Sequence, residues 1–358
     1  MRKHVSAVLV TAMVAAMMTG CGQKAATETT AAATKAAETT KAAETTAAAK
    51  EAGALKTGLA IVSSMEKSKD AGEKDGSAQV SSVAVAVVVD ADGKIVNCAI
   101  DNAQSQMAFT ADGKVVMADD FKTKKELKED YGMKAASKIG KEWYEQAEAL
   151  EQYVIGKTAE EVAGIAVDEK TAPTEADLTA GVTFKIGEYQ EAIVEAIENA
   201  KELGTKEGDK LGIGIITNME KSKDATAEKD GQCQAYSTYV AVTVDGDGKI
   251  TADIIDSTQG TVKFNASGKI TSDLTTGVKT KKQLGADYGM IKASKIGKEW
   301  FEQAAAMEEY LIGKTSEEVA GIAVNEEGKA TDADLAASVT VSIGGYQEAA
   351  QKAIANAK

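Results

Sequence analysis

Two stretches of the chain carry an aspartate followed, six residues later, by a threonine. They read DLTAGVTFKIGEYQEAI at residues 177–193 and DLAASVTVSIGGYQEAA at residues 334–350. In both, an amphipathic, helix-like segment follows the threonine. A hydroxyl just before a helix places a phosphate where free backbone N–H groups and the helix dipole favour an anion. The alternative is that the aspartate and threonine only cap and turn the chain.

Six residues are candidates for such a phosphate site because they keep the same spacing and are acidic, small or hydroxylated: Asp177, Gly181, Thr183, Asp334, Ser338 and Thr340. A small residue would let the backbone approach a phosphate closely, and glycine does this better than serine. The aspartate would orient the loop through its backbone, or hold a metal during phosphate transfer. On these grounds Thr183, whose stretch has the glycine, is the better candidate of the two threonines.

The composition excludes several other kinds of site. The single histidine, His4, lies in an N-terminal segment that is expected to be removed. The remaining chain therefore has no residue for a Ser-His-Asp or Cys-His site, or for a histidine-ligated metal centre. It also has no GxxxxGK[ST] phosphate loop. The net charge of −14 argues against nucleic acid or an anionic membrane as the main partner. Any redox chemistry would need an added cofactor.

The N-terminus has the pattern of an export signal. A basic start precedes an apolar stretch at residues 5–18, which is too short to span a bilayer. The sequence MTGC at residues 18–21 resembles the bacterial lipobox, in which cleavage exposes a cysteine that becomes acylated. This predicts a signal peptide at residues 1–20 and a lipid anchor on Cys21. The alternative is an ordinary signal that is cut elsewhere.

The next segment, residues 21–56, is almost wholly Ala, Thr, Lys and Glu. It has too few large apolar side chains to offset the entropy cost of ordering the chain. We therefore predict a solvated tether that holds the remaining chain away from a membrane.

After the tether the sequence repeats itself. Residues 57–204 and 211–358 align at offsets that grow only from 154 to 157 residues, with a short polar join at residues 205–210. GKTAEEVAGIAV, for example, returns as GKTSEEVAGIAV. This predicts two copies of one domain that fold separately. Cys98 and Cys233 lie at non-equivalent places in the copies, so we expect two small buried hydrophobes and no disulfide.

The first copy predicts strands at residues 58–64, 83–89 and 95–100, with a further pairing between residues 107–109 and 114–117. The turn sequences DADGK and DGDGK, one in each copy, predict hairpins. They faintly resemble a calcium loop, but they lack the closing Glu and the remaining ligands and are therefore interpreted as turns.

A helical pattern follows the strands in each copy. Its apolar stripe consists of Ile139, Trp143, Ala147, Leu150 and Val154 in the first copy and of Ile296, Trp300, Ala304, Met307 and Leu311 in the second. A short helix is predicted at residues 160–163, and another with Tyr189, Ile193 and Ile197 on its buried side. Hairpins together with helices that do not alternate with strands indicate an α+β fold, with a small antiparallel sheet and packed helices in each of two tandem copies.

This order of elements resembles the FMN-binding domains of bacterial surface flavoproteins and respiratory subunits. In that family a strand, a DGK hairpin, a strand and a helical insertion lead to Asp-x-x-Ser-Gly-Ala-Thr before a helix, and a transferase esterifies FMN phosphate onto the motif threonine. The residues of this chain at the positions from the motif aspartate to the threonine are Asp177, Ala180, Gly181, Val182 and Thr183, then Asp334, Ala337, Ser338, Val339 and Thr340. Serine and alanine are therefore not kept, and glycine is kept once.

The resemblance implies covalent FMN on Thr183 and Thr340, with a flavin transferase and a membrane electron donor as partners. YGM, at residues 131–133 and 288–290, closes a basic, polar run of the sequence in each copy. An aromatic and a methionine beside a glycine would suit the flank of a flavin ring, but we expect these residues to start the long helix and to pack beneath it. Tandem copies behind a lipobox are similar to the flavin lipoproteins of extracellular electron transfer. The expected function is an electron carrier on the outer face of a bacterial membrane, without catalysis of its own. The alternative is a surface lipoprotein that has lost flavin and serves as a ligand-binding or spacer module.

Overall fold

The computed structural model describes residues 54–118 and 120–358, which belong to one compact unit running from residue 51 to the C-terminus. The export signal, Cys21 and nearly all of the tether lie outside the described residues. Within them the chain is mixed α+β, as the sequence predicts. No helix in the described part is long and apolar enough to cross a membrane.

Two antiparallel sheets contain the strands. The first sheet has the order β1-β2-β3-β4, and its strands are β1 (Lys56–Ser64), β2 (Gly76–Val89), β3 (Ile95–Phe109) and β4 (Val115–Val116). The second has the order β5-β6-β7, and its strands are β5 (Lys210–Asn218), β6 (Gly231–Val244) and β7 (Ile250–Phe264). β1, β2 and β3 have the same lengths as β5, β6 and β7.

The described residues contain ten α-helices, five after each sheet. Those of the first half are α1 (Lys124–Leu127), α2 (Trp143–Val154), α3 (Ala159–Ala163), α4 (Ala176–Thr179) and α5 (Gly187–Glu198). Those of the second half are α6 (Lys281–Leu284), α7 (Trp300–Leu311), α8 (Ser316–Ala320), α9 (Ala333–Ala336) and α10 (Gly344–Ala355). Short 3-10 helices occupy Lys128–Tyr131, Gly285–Tyr288 and Met290–Lys292.

The predicted hairpin turn between β2 and β3 is confirmed. Asp90 Oδ1 accepts hydrogen bonds from the backbone N–H groups of Asp92 and Lys94, both at 2.9 Å, and Gly93 takes a φ of 75°. These carboxylate bonds explain why an aspartate opens the turn, and the positive φ explains the glycine. The strands on either side are longer than predicted, since β2 begins at Gly76 and β3 continues to Phe109.

The predicted start of the long helix is wrong by four residues. Ile139 lies in a turn, and α2 begins at Trp143. The helix start is fixed by Glu145, whose carboxylate accepts the backbone N–H of Glu142 at 2.8 Å. The carboxylate of Glu142 in turn accepts the N–H of Met133 at 2.8 Å. Ile139 has the spacing of the apolar stripe, but it lies before the helix. The predicted helix was therefore too long at its start.

Each half packs helices onto one face of its own sheet. In the first half this apolar core includes alternate residues of β2 together with side chains of α2 and α5: Val83, Val85, Val87, Trp143, Leu150 and Ile193. The second-half core forms between the equivalent strand and helices, β6, α7 and α10. It includes Val240, Val242, Trp300, Met307 and Ala349.

Two further apolar clusters contain residues from both halves. The first shared core includes Leu59, Ile61, Val88, Leu211, Ile213 and Tyr239. The second shared core includes Met65, Val80, Met107, Phe109, Val262 and Phe264. In it the rings of Phe109 and Phe264 stack, with centroids 4.2 Å apart and planes 7° apart. The halves are therefore not the separate bodies that the sequence repetition suggested.

The expectation for the cysteines is confirmed. Cys98 and Cys233 are free and buried. Burial raises the pKa of both thiols, that of Cys233 to about 12. Neither is a reactive thiolate at neutral pH, since a thiolate requires a lowered pKa.

Candidate functional site

Thr183 lies in the connection between α4 and α5 and is half-buried. Its backbone N–H and its hydroxyl both donate to the same atom, Gln146 Oε1, at 2.8 and 3.1 Å. Two bonds to one acceptor fix both the backbone and the χ1 angle of this threonine. The hydroxyl oxygen is therefore held in one place at the edge of the first-half core.

The acceptor is itself held rigidly. Gln146 is on α2 and completely buried, and its Nε2 donates to Ser137 Oγ and to the carbonyl oxygen of Lys141, both at 3.1 Å. All the polar atoms of this buried amide have partners, as burial of a polar side chain requires. The sequence analysis missed Gln146. The indication in the sequence was its position, three residues after Trp143 of the apolar helix stripe, which places it on the same side of the helix.

The second half repeats this arrangement. Thr340 donates its N–H and its hydroxyl to Gln303 Oε1 at 2.9 and 3.2 Å. Gln303 is also completely buried, and its Nε2 donates to Ser294 Oγ and to the Lys298 carbonyl oxygen at 3.2 and 3.3 Å. Both candidate threonines are thus presented in the same way.

The two candidate aspartates are not in contact with the threonines. Asp177 and Asp334 lie exposed in the first turns of the four-residue helices α4 and α9. Neither carboxylate makes a hydrogen bond with any residue of the described part of the chain. The structure therefore brings Thr183 and Thr340 together with glutamines, and leaves the aspartates facing solvent.

Gly181 is small for a packing reason. A Cβ atom built on it would lie 2.9 Å from Ala149 Cβ, so the absence of a side chain lets the end of α4 lie close against α2. The second half has the half-buried Ser338 at this position.

The aromatic side chains near Thr183 pack on one another. The rings of Trp143, Phe184 and Tyr189 have centroid separations of 4.9–6.3 Å, and Trp143 Nε1 donates to Tyr189 Oη at 3.2 Å. Burial raises the pKa of Tyr189. Trp143 is only 2 % exposed. This cluster is closed and does not leave a slot for a planar ring between its members.

A buried lysine lies over the same cluster. Lys124 is 9 % exposed, and its Nζ lies 5.0 Å from the ring centroid of Tyr131 and 5.3 Å from that of Trp143. Burial, with a smaller contribution from Lys67, lowers the pKa of Lys124 to about 8. The rings replace part of its lost hydration by cation–π attraction.

The equivalent lysine of the second half, Lys281, has three rings around it. Its Nζ lies 4.5, 4.7 and 5.0 Å from the ring centroids of Tyr236, Tyr288 and Trp300, and it donates to Tyr236 Oη at 2.8 Å. Neither lysine stands out in the sequence, because each lies in the basic stretch KTKK. The ring partners come from distant positions, so no local pattern revealed their burial.

The YGM segment lies beside this lysine and does not start the long helix. Tyr131 ends a 3-10 helix, Gly132 has a φ of 72°, and α2 begins ten residues after Met133. Tyr131 and Met133 pack against the first-half core, so the predicted packing is confirmed and the predicted helix start is wrong.

The helix that follows Thr183 has no side-chain cap. α5 begins after Ile186, an apolar N-cap residue, and the same holds for Ile343 before α10. Uncapped first-turn N–H groups favour an anion. Within the described residues no group of three or more His, Cys, Asp or Glu side chains is arranged to hold a metal ion.

The geometry thus offers a fixed, half-buried threonine hydroxyl and an uncapped twelve-residue helix in each half. Comparison with protein-family models, with curated proteins and with solved structures finds no match for this chain.

Proposed function

We propose that this protein is a lipid-anchored flavoprotein that carries FMN on two tandem domains, at Thr183 and Thr340. It relays electrons from a membrane oxidoreductase to an extracellular acceptor, and the flavin supplies the redox chemistry when it is bound. The anchor is Cys21, and the tether separates the folded part from the membrane. A flavin transferase attaches the cofactor, so the protein needs no catalytic residues of its own.

One observation carries this proposal. Both threonines have their hydroxyl groups fixed by a buried glutamine, which is unnecessary if a threonine serves only to turn the chain. The hydroxyl donates a hydrogen bond to the glutamine oxygen, so the Oγ lone pairs remain available for a phosphoester bond. The backbone N–H bond to the same oxygen would keep the loop in place once the hydroxyl is esterified.

The residues fit the phosphoester end of FMN better than its ring. Thr183 Oγ is the attachment atom, and the uncapped first turn of α5 is a favourable place for the phosphate charge. Lys124 adds positive charge to this part of the molecule. The closed packing of Trp143, Phe184 and Tyr189 means that the ring lies outside that cluster.

The first prediction tests the attachment. After coexpression with a flavin transferase, the intact mass of the full-length protein is expected to show two FMN phosphoesters. Thr183→Val and Thr340→Val are each expected to remove one, because valine keeps the shape but lacks the hydroxyl, and the double variant is expected to remove both. Fluorescence of the protein band after denaturing electrophoresis gives the same readout.

The matched control is Thr179→Val, which changes a threonine of α4 whose hydroxyl bonds to the Ala176 carbonyl oxygen. It is expected to retain both flavins. An unmodified mass for the wild-type protein would contradict the proposal, and the role of a ligand-binding or spacer module without covalent flavin would then remain.

The second prediction concerns the anchor. Cys21→Ala is expected to release the protein from the membrane fraction or to stall its processing, because the acylated residue is lost. Fractionation followed by immunoblotting measures this, with Ser6→Ala in the apolar segment as a control that keeps the lipobox. Membrane partition of Cys21→Ala at the wild-type level would show that the protein is held in another way.

A further inference from the structure

A cavity of about 330 Å³ lies between the two halves, and neither threonine is among its lining residues. Edge strand β1 and the end of α5 form one wall, and β7, α6 and α7 form the other. Its charged lining residues come from both halves: Glu195, Lys201, Asp256, Lys282 and Glu308.

The molecule contains a second place with equivalent surroundings, called the filled place below because a lysine of the chain itself forms an ion pair with the carboxylate there. Lys201 pairs with Thr57 of β1 through two backbone hydrogen bonds of 2.9 and 3.0 Å. Lys358, which follows α10, pairs with Leu211 of β5 in the same manner, at 3.2 and 3.3 Å. The two lysines thus pair with equivalent edge strands, and each lies beside a contact between the halves.

At the filled place the lysine reaches a buried carboxylate. Glu151 on α2 is 1 % exposed, and its Oε1 accepts from Lys125 Nζ at 2.6 Å and from the Ile100 N–H at 2.7 Å. Its second oxygen, Oε2, lies 3.0 Å from Lys358 Nζ. Lys358 also lies 3.4 Å from Glu148, one turn earlier on α2. Here the Lys358 ammonium forms ion pairs with both carboxylates of α2, although Glu151 Oε2 accepts no hydrogen bond.

At the cavity the equivalent carboxylate is that of Glu308, and among the described residues no lysine like Lys358 pairs with it. Glu308 Oε1 accepts from Lys282 Nζ at 2.5 Å and from the Ile255 N–H at 2.7 Å. No donor of the described chain bonds to the second oxygen, and Glu308 lines the cavity. Lys201 is exposed and forms no ion pair with any described residue. The position equivalent to Glu148 is Ala305, so the helix offers Lys201 one carboxylate fewer.

A second carboxyl group near Glu308 also lacks a partner. Asp253 on β7 is 3 % exposed, and neither of its oxygens has a hydrogen-bond partner among the described residues. In the first half Cys98 occupies the equivalent register, opposite Val87 as Asp253 is opposite Val242. The cavity side has therefore gained a buried acid where the filled side has a neutral thiol.

We propose that this cavity binds a small molecule with a primary ammonium group, which takes at Glu308 the place that the Lys358 ammonium takes at Glu151. The ligand stem would lie along the apolar part of the lining, near Leu59, Ile61 and Ile254. This site is independent of the flavin proposal, since it shares no residue with the threonine sites.

The probe for the test is n-butylamine, which is the side chain of lysine as a free molecule. Titration calorimetry of the full-length protein at neutral pH is expected to give one bound equivalent with millimolar affinity, about −4 kcal/mol. n-Butanol and tetramethylammonium, which lack the charge or the N–H donors, are expected to bind at least roughly tenfold more weakly, because charge-assisted hydrogen bonds supply the affinity.

Glu308→Gln keeps an acceptor for Lys282 and Ile255 but removes the charge. It is expected to weaken butylamine binding by tenfold or more, as loss of one member of a desolvated charge pair does. The matched control is Glu309→Gln, which removes an exposed carboxylate at the next position of α7 and is expected to leave the affinity unchanged. Melting temperatures of both variants check that the fold is kept. Equal affinities of the two variants would overturn the proposal.

Lys201 is the competing occupant, and a surface substitution tests it without risk to the fold. Lys201→Met is expected to strengthen butylamine binding a fewfold, because a nearby cation is removed from the mouth of the cavity. Binding that occurs only in Lys201→Met, and not in the wild-type protein, would mean that Lys201 fills the cavity itself and would overturn the proposal. Absence of binding in both proteins would overturn it as well.

Discussion

Expressed separately, the two halves of the chain, cut in the connection at residues 205–208, are expected to be largely unfolded. Each half places one face of its sheet against the other half. Large apolar side chains of the first half that meet the second are Leu59, Ile61, Met65, Val80, Val88, Met107 and Phe109. Backbone bonds also join the halves, from the Ala71 N–H to the Gly268 carbonyl oxygen and from the Ala225 N–H to the Gly113 carbonyl oxygen, both 2.8 Å.

The expected size of this effect is comparable to the stability of an ordinary domain. Exposure of a buried large apolar side chain costs about 1.5–3 kcal/mol. Loss of this contribution from seven such side chains is comparable to the whole free energy of unfolding of a typical domain, which is about 5–15 kcal/mol. We therefore expect that the core remaining within each half, between its sheet and its helices, does not hold the fold on its own.

Circular dichroism in the far and near ultraviolet, together with limited proteolysis, measures the outcome. The control is coexpression of the two halves, which is expected to give a soluble, folded heterodimer because the shared cores can form between chains. A half that alone resists protease and shows native near-ultraviolet dichroism would contradict the prediction. Such a result would restore the independent domains that the repetition in the sequence suggested.

The sequence predicted the strands and turns well because their signals are local. Apolar runs and DADGK-type turns decide a hairpin within a few residues. The shared cores depend on contacts between distant residues, but a signal for them was present in β2. Val83, Val85 and Val87 face the helices, while Ala84, Ala86 and Val88 face the other half. An apolar run without alternation, in a sheet with helices on one face only, requires another layer on the other face.

The candidate site was predictable only in part. The sequence located Thr183 and Thr340, and both lie ahead of a twelve-residue helix. It did not reveal Gln146 and Gln303, since a polar side chain on a helix is normally placed on its exposed face. Their burial follows from the tertiary structure, in which the loop that contains each threonine covers the polar end of the long helix.

Asp253→Cys is expected to make the protein more stable at neutral pH, although it removes a charged residue type. Burial, followed by the nearby carboxylate of Glu308, raises the pKa of Asp253 well above its ordinary value. Both of its oxygens lack hydrogen-bond partners. A buried acceptor without a partner costs about 1–3 kcal/mol. Cysteine has nearly the same volume, and the equivalent position of the first half already holds one, Cys98.

The advantage of the variant should grow with pH. Below pH about 4 the carboxyl group is protonated in the folded and the unfolded chain. Its contribution to the free energy of unfolding therefore does not change with pH in this range. Above it the unfolded chain loses the proton while the folded chain keeps it. Unfolding of the wild-type protein therefore becomes easier by about 1.4 kcal/mol per pH unit, until the pH passes the raised pKa of the folded state. The variant has no carboxyl group at this position, so its free energy of unfolding does not fall with pH for this reason.

Urea unfolding of both proteins at pH 4, 5, 6 and 7 measures the difference in the free energy of unfolding. The matched control is Asp247→Asn, an exposed aspartate in the turn between β6 and β7. Its difference from the wild-type protein is expected to stay the same across the series. A difference for Asp253→Cys that is constant or falls as the pH rises would show that Asp253 is ionised in the folded protein.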